Sequence, residues 1–128
     1  MKKTQVKKVL VFGTFDRLHK GHAFFLKKAK KLGRLYVSVA SKKSVFTRKG
    51  KRPLEHTAQR IKALKKLDLA HKVSEGDKIM GNWKDIKIIK PHIVAVGYDQ
   101  DHLQKALKKI QKLHGFKIKK IKKHDAIS

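Results

Sequence analysis

The sequence predicts an α/β fold, a doubly wound parallel five-stranded sheet with helices on both faces. Two observations support this prediction. Short apolar runs alternate with amphipathic segments along the whole 128-residue chain, and the connections between them are short. Several of these runs are apolar at successive positions, which is typical of parallel strands that are covered on both sides. Because there is neither a linker nor an internal repeat, we expect residues 1–128 to form a single domain.

The first part of the chain supplies two strands, one helix and a basic segment. We expect residues 6–12 to form the first strand and residues 21–32 to form a helix with its apolar residues on one face. Gly33 is placed to end this helix as a left-handed cap. Residues 35–40 form the second strand. Residues 41–52 are basic and lack apolar periodicity, so we expect them to form a loop.

The middle of the chain continues the alternation. Pro53 suits the first turn of a helix, which we expect to reach residue 67. Residues 71–74 form a short third strand. A weaker helix is predicted over residues 76–90, and Pro91 stops it. Trp83 in this segment is expected to pack against the core.

The last part of the chain completes the sheet. Residues 93–96 form a fully buried fourth strand, which His92 precedes as a structural residue. Residues 103–113 form an amphipathic helix that Gly115 closes. Residues 116–121 form the fifth strand, and their lysines indicate a position at the edge of the sheet. The complete arrangement is Rossmann-like.

The composition limits the classes of function. The chain has no cysteine, which excludes disulfides and thiolate metal sites. No stretch approaches the ~20 apolar residues that cross a bilayer, so we expect a soluble, cytoplasmic protein that does not bind membranes. Lysine and arginine number 35 against 9 acidic residues, a net charge of +26. These cations are spread over the chain, and charge without a motif makes a nucleic-acid partner less favoured than anionic small molecules.

Residues 13–22, Gly-Thr-Phe-Asp-Arg-Leu-His-Lys-Gly-His, connect the first strand to the first helix. Such turns bind phosphate, because the first amide N–H groups of the helix are unpaired and carry partial positive charge. His19 and His22 lie three residues apart at the start of the helix, so both can face one anion. Gly21 lets the backbone approach that anion closely. The spacing does not favour zinc, since histidine pairs that bind metal on a helix are usually four residues apart.

Three segments are expected at the carboxyl edge of the sheet, where ligands bind in such folds: residues 13–22, 41–52 and 97–100. A nucleoside triphosphate across this edge would need donors that neutralise charge on the phosphoryl oxygens. The middle segment is compatible both with a solvated loop and with a lid over phosphates. The cations that it offers are Lys42, Lys43, Arg48, Lys49, Lys51 and Arg52.

The block at residues 13–22 resembles the cytidylyltransferase-like nucleotidyltransferases, whose hallmark is His-x-Gly-His behind a first strand. This family includes glycerol-3-phosphate cytidylyltransferase and the archaeal-type FAD synthases. Residues 49–53, with Gln59 and Arg60, look like the family's phosphate-binding loop and helix. Residues 96–100 look like the segment that borders its nucleotide. The resemblance covers residues 5–122.

The resemblance implies transfer of CMP or AMP from CTP or ATP, with Mg²⁺, to a small phosphomonoester such as glycerol 3-phosphate or FMN, releasing pyrophosphate. His19 and His22 would be catalytic, and Asp16 would organise the acceptor side. No metal-ligating residue is predicted. The residues that would bind nucleotide or phosphate are Gly13, Thr14, Phe15, Gly21, Lys43, Arg60, Gly97 and Asp99.

One departure from the family concerns the end of the chain. Family members carry a serine-rich motif that opens a final helix after the last strand, and residues 125–128 stand where it would begin. The family's homodimers suggest a dimer here. The missing motif and the charge leave an alternative open: a non-catalytic, basic nucleotide- or RNA-binding module with a degenerate transferase fold. The intact histidine pair argues against that alternative.

Overall fold

The computed structural model describes residues 6–78 and 81–122, and the strands within them form one parallel five-stranded sheet in the order β3-β2-β1-β4-β5. The strands are β1 (Lys8–Gly13), β2 (Arg34–Val39), β3 (Lys72–Glu75), β4 (Ile93–Gly97) and β5 (Lys117–Ile121). Strand order reverses at β1, which pairs with β2 on one side and with β4 on the other. The Rossmann-like prediction is confirmed, and the crevice beyond β1 and β4 is where such folds bind ligands.

Five helices in the described residues cover the sheet. They are α1 (Lys20–Lys30), α2 (Lys42–Lys49), α3 (Thr57–Leu67), α4 (Lys84–Ile89) and α5 (Asp101–His114). Leu26 of α1 and Leu64 of α3 pack on one face of the sheet. Ile86 of α4 and Leu107 of α5 pack on the other. Both faces are therefore covered, which explains why successive residues of the central strands are apolar.

The prediction of a loop over residues 41–52 is wrong, because α2 lies within them. The Ser41 side chain accepts a hydrogen bond from the Ser44 N–H and so caps the first turn. Val45 is buried and anchors the helix to the core. Gly50 ends it with a left-handed φ of 71°. A helix that buries so little leaves no apolar period to detect.

Two further helix boundaries differ from the prediction for a common reason, an aspartate that binds backbone N–H groups. Asp16 accepts hydrogen bonds from Leu54 and Glu55, so that α3 begins at Thr57 and not at Pro53. Asp77 accepts hydrogen bonds from the backbone of residues 83 and 84, which starts α4 there and not at residue 76.

Three smaller predictions are confirmed. β5 lies at an edge of the sheet. Trp83 packs edge-on against Phe12, with ring centroids 5.8 Å apart. The His92 Nδ1 atom accepts a hydrogen bond from the Lys8 N–H and so ties β4 to β1. Among the helices described here, none is long and apolar enough to cross a membrane.

Candidate active site

The loop between β1 and α1 has an unusual backbone. Phe15 and Arg17 both adopt left-handed conformations, with φ of 52° and 51°. Phe15 is buried, and its ring folds back over Gly13, where a Cβ atom would lie 2.7 Å from the ring. Glycine at position 13 therefore allows this packing. Left-handed non-glycine residues are uncommon, and strained backbone of this kind clusters at ligand sites.

His19 and His22 stand side by side at the start of α1. Their rings are stacked, with centroids 3.8 Å apart and planes inclined by 23°. His19 is the N-cap, and its Nδ1 accepts a hydrogen bond from the Gly21 N–H at 3.1 Å. The Nδ1 of His22 accepts one from the His19 N–H at 3.2 Å. In its neutral form each ring therefore carries its proton on Nε2, and the pair can present two N–H donors to one anion.

The environment of His22 favours its neutral form. Burial lowers the pKa of this imidazole below its ordinary value of 6.5, and the neighbouring His19 lowers it further. The carboxylates of Asp16 and Asp99 act in the opposite direction without reversing the shift. Near neutral pH, His22 is consequently a hydrogen-bond donor through Nε2 without a full positive charge.

The histidine pair lines a cavity of about 580 Å³ at the carboxyl edge of the sheet. This volume lies within the range of small-molecule sites, about 300–1,000 Å³. The cavity is lined, among the described residues, by Phe12, Gly13, Thr14, Phe15, His19, Gly21, His22, Phe24, Phe25, Lys49, Gly97, Tyr98, Asp99, Gln100, His102, Leu103, Ile121 and Lys122. Most of this wall comes from β1, α1 and the segment after β4.

Gln100 fixes the wall after β4. Its Oε1 accepts a hydrogen bond from the Gly97 N–H at 2.8 Å, and its Nε2 donates to the Phe12 carbonyl at 2.8 Å. The side chain thus bridges the ends of β4 and β1, the two strands at which strand order reverses. A Cβ atom on Gly97 would lie 3.2 Å from an Asp99 carboxylate oxygen, so the turn is tightly packed.

Arg60 lies beneath the site and does not line the cavity. Its side chain is fully buried, and Nη1 donates to the carbonyls of Thr14 at 2.9 Å and Ala40 at 2.7 Å. Nε and Nη2 donate to the Glu55 carbonyl and the Thr57 hydroxyl. The guanidinium thus joins the ends of β1 and β2 to the start of α3. This placement gives Arg60 a structural role in place of the predicted contact with phosphates.

Asp16 also holds the scaffold and does not line the cavity. Its carboxylate accepts hydrogen bonds from the N–H groups of Leu54 and Glu55, while the Glu55 carboxylate accepts one from the Arg17 N–H. Burial alone would raise the pKa of Asp16. Those two backbone N–H groups, with the charges of Arg60 and Arg17, outweigh burial and leave that pKa below its ordinary value of 3.8. The ionised Asp16 side chain therefore joins the first loop to the segment before α3 by hydrogen bonds.

The structure thus brings together most of the residues predicted for the site. Lys43 lies outside the cavity, and Lys49, at the other end of α2, lines it instead. Sequence reasoning did not assign Gln100 or His102 to the site, although both lie within or just after the segment that it singled out. The predicted residues that line the cavity are Gly13, Thr14, Phe15, His19, Gly21, His22, Gly97 and Asp99.

The positive charge of the chain is largely unneutralised, because 35 lysine and arginine residues stand against 9 acidic ones. In the described part of the chain the one ion pair joins Lys120 to Asp101, at 3.2 Å on the surface. No cluster of three or more histidine, aspartate or glutamate side chains in that part is arranged to hold a metal ion. The site therefore offers a field that attracts polyanions, together with directed N–H donors.

Known proteins are similar to this chain over most of its length. The model of the cytidylyltransferase-like family matches residues 10–127. A FAD synthase from Thermococcus sibiricus is 40% identical over 109 residues, which cover 84% of this chain and 74% of that protein. A FAD synthase from Methanothermus fervidus is 46% identical over 108 residues, which cover 76% of this chain and 71% of that protein.

Solved structures agree with these sequence matches. The lipopolysaccharide core biosynthesis protein from Thermoplasma volcanium superposes with a TM-score of 0.79 at 32% identity, covering 92% of this chain and 96% of that one. A pantoate-beta-alanine ligase from Francisella tularensis superposes with a TM-score of 0.67 at 19% identity, covering 94% of this chain and 60% of that one. The second likeness concerns the fold alone.

Proposed function

Because the chain belongs to the cytidylyltransferase-like family and is a nucleotidyltransferase, we propose that it transfers AMP from ATP to FMN, forming FAD and pyrophosphate. The FAD synthases that are 40% and 46% identical to this chain favour this acceptor over glycerol 3-phosphate, and ATP over CTP. The observation that carries the proposal is the stacked histidine pair, which lines a cavity large enough for a nucleotide.

The triphosphate binds at the start of α1. The backbone N–H groups of the first turn and the partial positive charge of the helix attract its oxygens. Lys49 reaches the same cavity from α2 and adds a full charge. Mg²⁺ enters with the triphosphate as part of the substrate. The base extends toward the turn that Gly97 and Asp99 form after β4.

In the chemical step, an oxygen of the FMN phosphate forms a bond to the α-phosphorus of ATP. The bond from that phosphorus to the oxygen bridging to the β-phosphate breaks, and pyrophosphate departs with the electron pair. Negative charge grows on the phosphoryl oxygens and on the leaving group. The Nε2–H groups of His19 and His22 donate to these oxygens, a contribution that is strongest in the transition state.

The scaffold residues support this step indirectly. Arg60 fixes the Thr14 carbonyl and Asp16 fixes the segment before α3. The loop that carries the histidines is thereby held before substrate arrives, which reduces the reorganisation that the transition state requires. Thr14 and Phe15 contact the nucleotide or its phosphates within this proposal. Because both substrates are intracellular nucleotides, the proposal places the protein in the cytoplasm.

Pyrophosphate release tests the proposal. The protein is incubated with Mg²⁺, either ATP or CTP, and either FMN or glycerol 3-phosphate. We expect release with ATP and FMN, and a rate lower by about 10²–10³ in His19→Ala and in His22→Ala, the effect of losing one oxyanion donor. His71→Ala is the matched control and retains the parent rate, because His71 is exposed, directly precedes β3 and does not line the cavity. If His19→Ala and His22→Ala both release pyrophosphate at the parent rate, the assignment of the two histidines as catalytic is wrong.

A second candidate function is favoured by the charge of +26 and by the single ion pair in the described residues. It is a non-catalytic nucleotide- or RNA-binding module. This candidate predicts binding without pyrophosphate release, and an RNA affinity that falls steeply as salt is added.

The homodimer that the family resemblance suggests is tested separately by sedimentation at physiological ionic strength, where screening reduces repulsion between the chains.

A further inference from the structure

We propose that FMN stacks its isoalloxazine ring on an exposed surface beside the cavity, formed by Phe46, Arg52 and Leu54. This inference rests on the proposed function, because it assigns a binding site to the acceptor of that reaction. We call these three residues the α2 platform. Phe46 lies in α2, and Arg52 and Leu54 lie between α2 and α3.

The cavity occupies one half of the carboxyl edge of the sheet. Its walls come from β1 and α1, from the segment after β4 together with the first turn of α5, and from the end of β5. From the described residues of β2, α2, α3 and β3, Lys49 alone contributes to the lining. A nucleotide that fills the cavity therefore occupies one half of the carboxyl edge of the sheet. In this inference the acceptor approaches from the other half, where β2 ends and α2 begins.

The α2 platform is on this second half and is exposed. Phe46 is 49% exposed and Leu54 is 74% exposed, so both apolar side chains are open to an approaching ligand. The Leu54 N–H is bonded to Asp16, so this part of the platform lies directly against the first loop. Phe46 and Lys49 are three residues apart in one helix and share a face. Leu54 is thereby placed next to the first loop, and Phe46 on the helix whose Lys49 lines the cavity.

The chemistry of the platform suits a flat conjugated ring. The Arg52 guanidinium lies over the Phe46 ring, 5.7 Å from its centroid. Both groups are planar, and both stack readily on aromatic systems. FMN carries its phosphate on a five-carbon chain attached to the isoalloxazine ring, so a ring on the platform leaves the phosphate able to pass Lys49 toward the histidines. Glycerol 3-phosphate has no group that could use this surface.

Calorimetric titration of the full chain with FMN, in the absence of ATP, tests the inference. We expect Phe46→Ala to weaken FMN binding by about tenfold or more, the effect of removing an aromatic stacking partner, with ATP affinity unchanged. Phe46→Tyr keeps the ring and should bind FMN within about twofold of the parent, which corresponds to less than 0.5 kcal/mol. Ile88→Ala, on α4, is the matched control, because Ile88 is also large, apolar and 66% exposed.

The outcomes separate the inference from the proposed function. If the parent binds FMN and makes FAD while Phe46→Ala binds FMN as the parent does, the platform assignment is overturned and the function stands. If the parent releases pyrophosphate only with another phosphomonoester and binds no FMN, the acceptor of the proposed function fails, and the platform assignment is overturned with it. Equal weakening in Phe46→Ala and Phe46→Tyr would also overturn it, since the aromatic ring would then not be the feature that binds.

Discussion

Arg60→Met removes the guanidinium that joins the ends of β1 and β2 to α3, while retaining a long apolar side chain. The substitution leaves three partly buried carbonyls without this donor, those of Thr14, Ala40 and Glu55. A hydrogen bond from a charged donor contributes about 1.5–3 kcal/mol, and an orphaned buried polar group costs about 1–3 kcal/mol. These terms do not add fully, because the variant also avoids burying a charge.

That offset is visible in the arginine itself. Burial lowers the pKa of Arg60 below its ordinary value, and the carboxylates of Asp16, Glu55 and Glu75 oppose this shift only in part. Set against that offset, the loss of several hydrogen bonds from a charged donor comes to about 3–5 kcal/mol. We expect a loss of this size, out of the roughly 5–15 kcal/mol that a domain possesses. For 128 residues it corresponds to a fall in Tm of about 10–20 °C.

Urea unfolding followed by circular dichroism measures this loss. Lys62→Met is the matched control, because Lys62 lies exposed on the same helix, and we expect it to stay within about 0.5 kcal/mol of the parent. A phosphate-binding role for Arg60 makes the opposite prediction, namely loss of ATP affinity with little change in the free energy of unfolding. If Arg60→Met unfolds within 1 kcal/mol of the parent and binds ATP poorly, the structural role argued above is wrong.

Three further predictions concern residues around the same edge of the sheet. Asp16→Asn keeps one acceptor oxygen for two N–H groups, so the free energy of unfolding should fall by about 1–2 kcal/mol and proteolysis near residue 54 should become faster. In the parent, the stabilisation by the Asp16 carboxylate is present above pH 3.8 and is lost as the pH falls through the lower folded-state pKa. His22 has a folded-state pKa below 6.5, so the unfolded chain binds the proton first and stability falls as the pH drops below 6.5. In His22→Asn, the urea midpoint should depend less on pH in that range. Gly33→Ala would place a Cβ atom 2.3 Å from the Lys7 carbonyl oxygen, and the forced backbone shift should cost about 1–3 kcal/mol in the same assay.

The sheet could be predicted from the sequence because strands that are buried on both faces consist of successive apolar residues. Val9, Leu10 and Val11 are all fully buried, and three successive apolar residues of this kind are typical of a strand covered on both faces. The histidine pair could be predicted as well, since a strand, a turn with glycine and a helix determine where residues 19 and 22 lie. Both inferences depend on local spacing, which the fold preserves.

The remaining features depend on contacts between distant segments. α2 buries Val45 and little else, so its sequence carries no period, and without a helix the choice between Lys43 and Lys49 could not be made. Arg60 follows a polar stretch at the start of α3, so its sequence context is that of a cation on the surface. Its burial results from carbonyls that lie 46 and 20 residues away in sequence, at Thr14 and Ala40. No pattern within one segment indicates such a partner.

The edge-on packing of Trp83 on Phe12 gives this protein an internal optical probe. Trp83 is the one tryptophan of the chain, so the indole emission has a single source. Phe12 contacts that indole and lines the cavity, and its carbonyl is bonded to Gln100. A nucleotide that displaces Phe12 would change the surroundings of the Trp83 indole and so its emission. A flavin bound on α2 would instead quench the emission of Trp83 by energy transfer. Stopped-flow recording on the unlabelled protein can therefore establish which of two substrates arrives first.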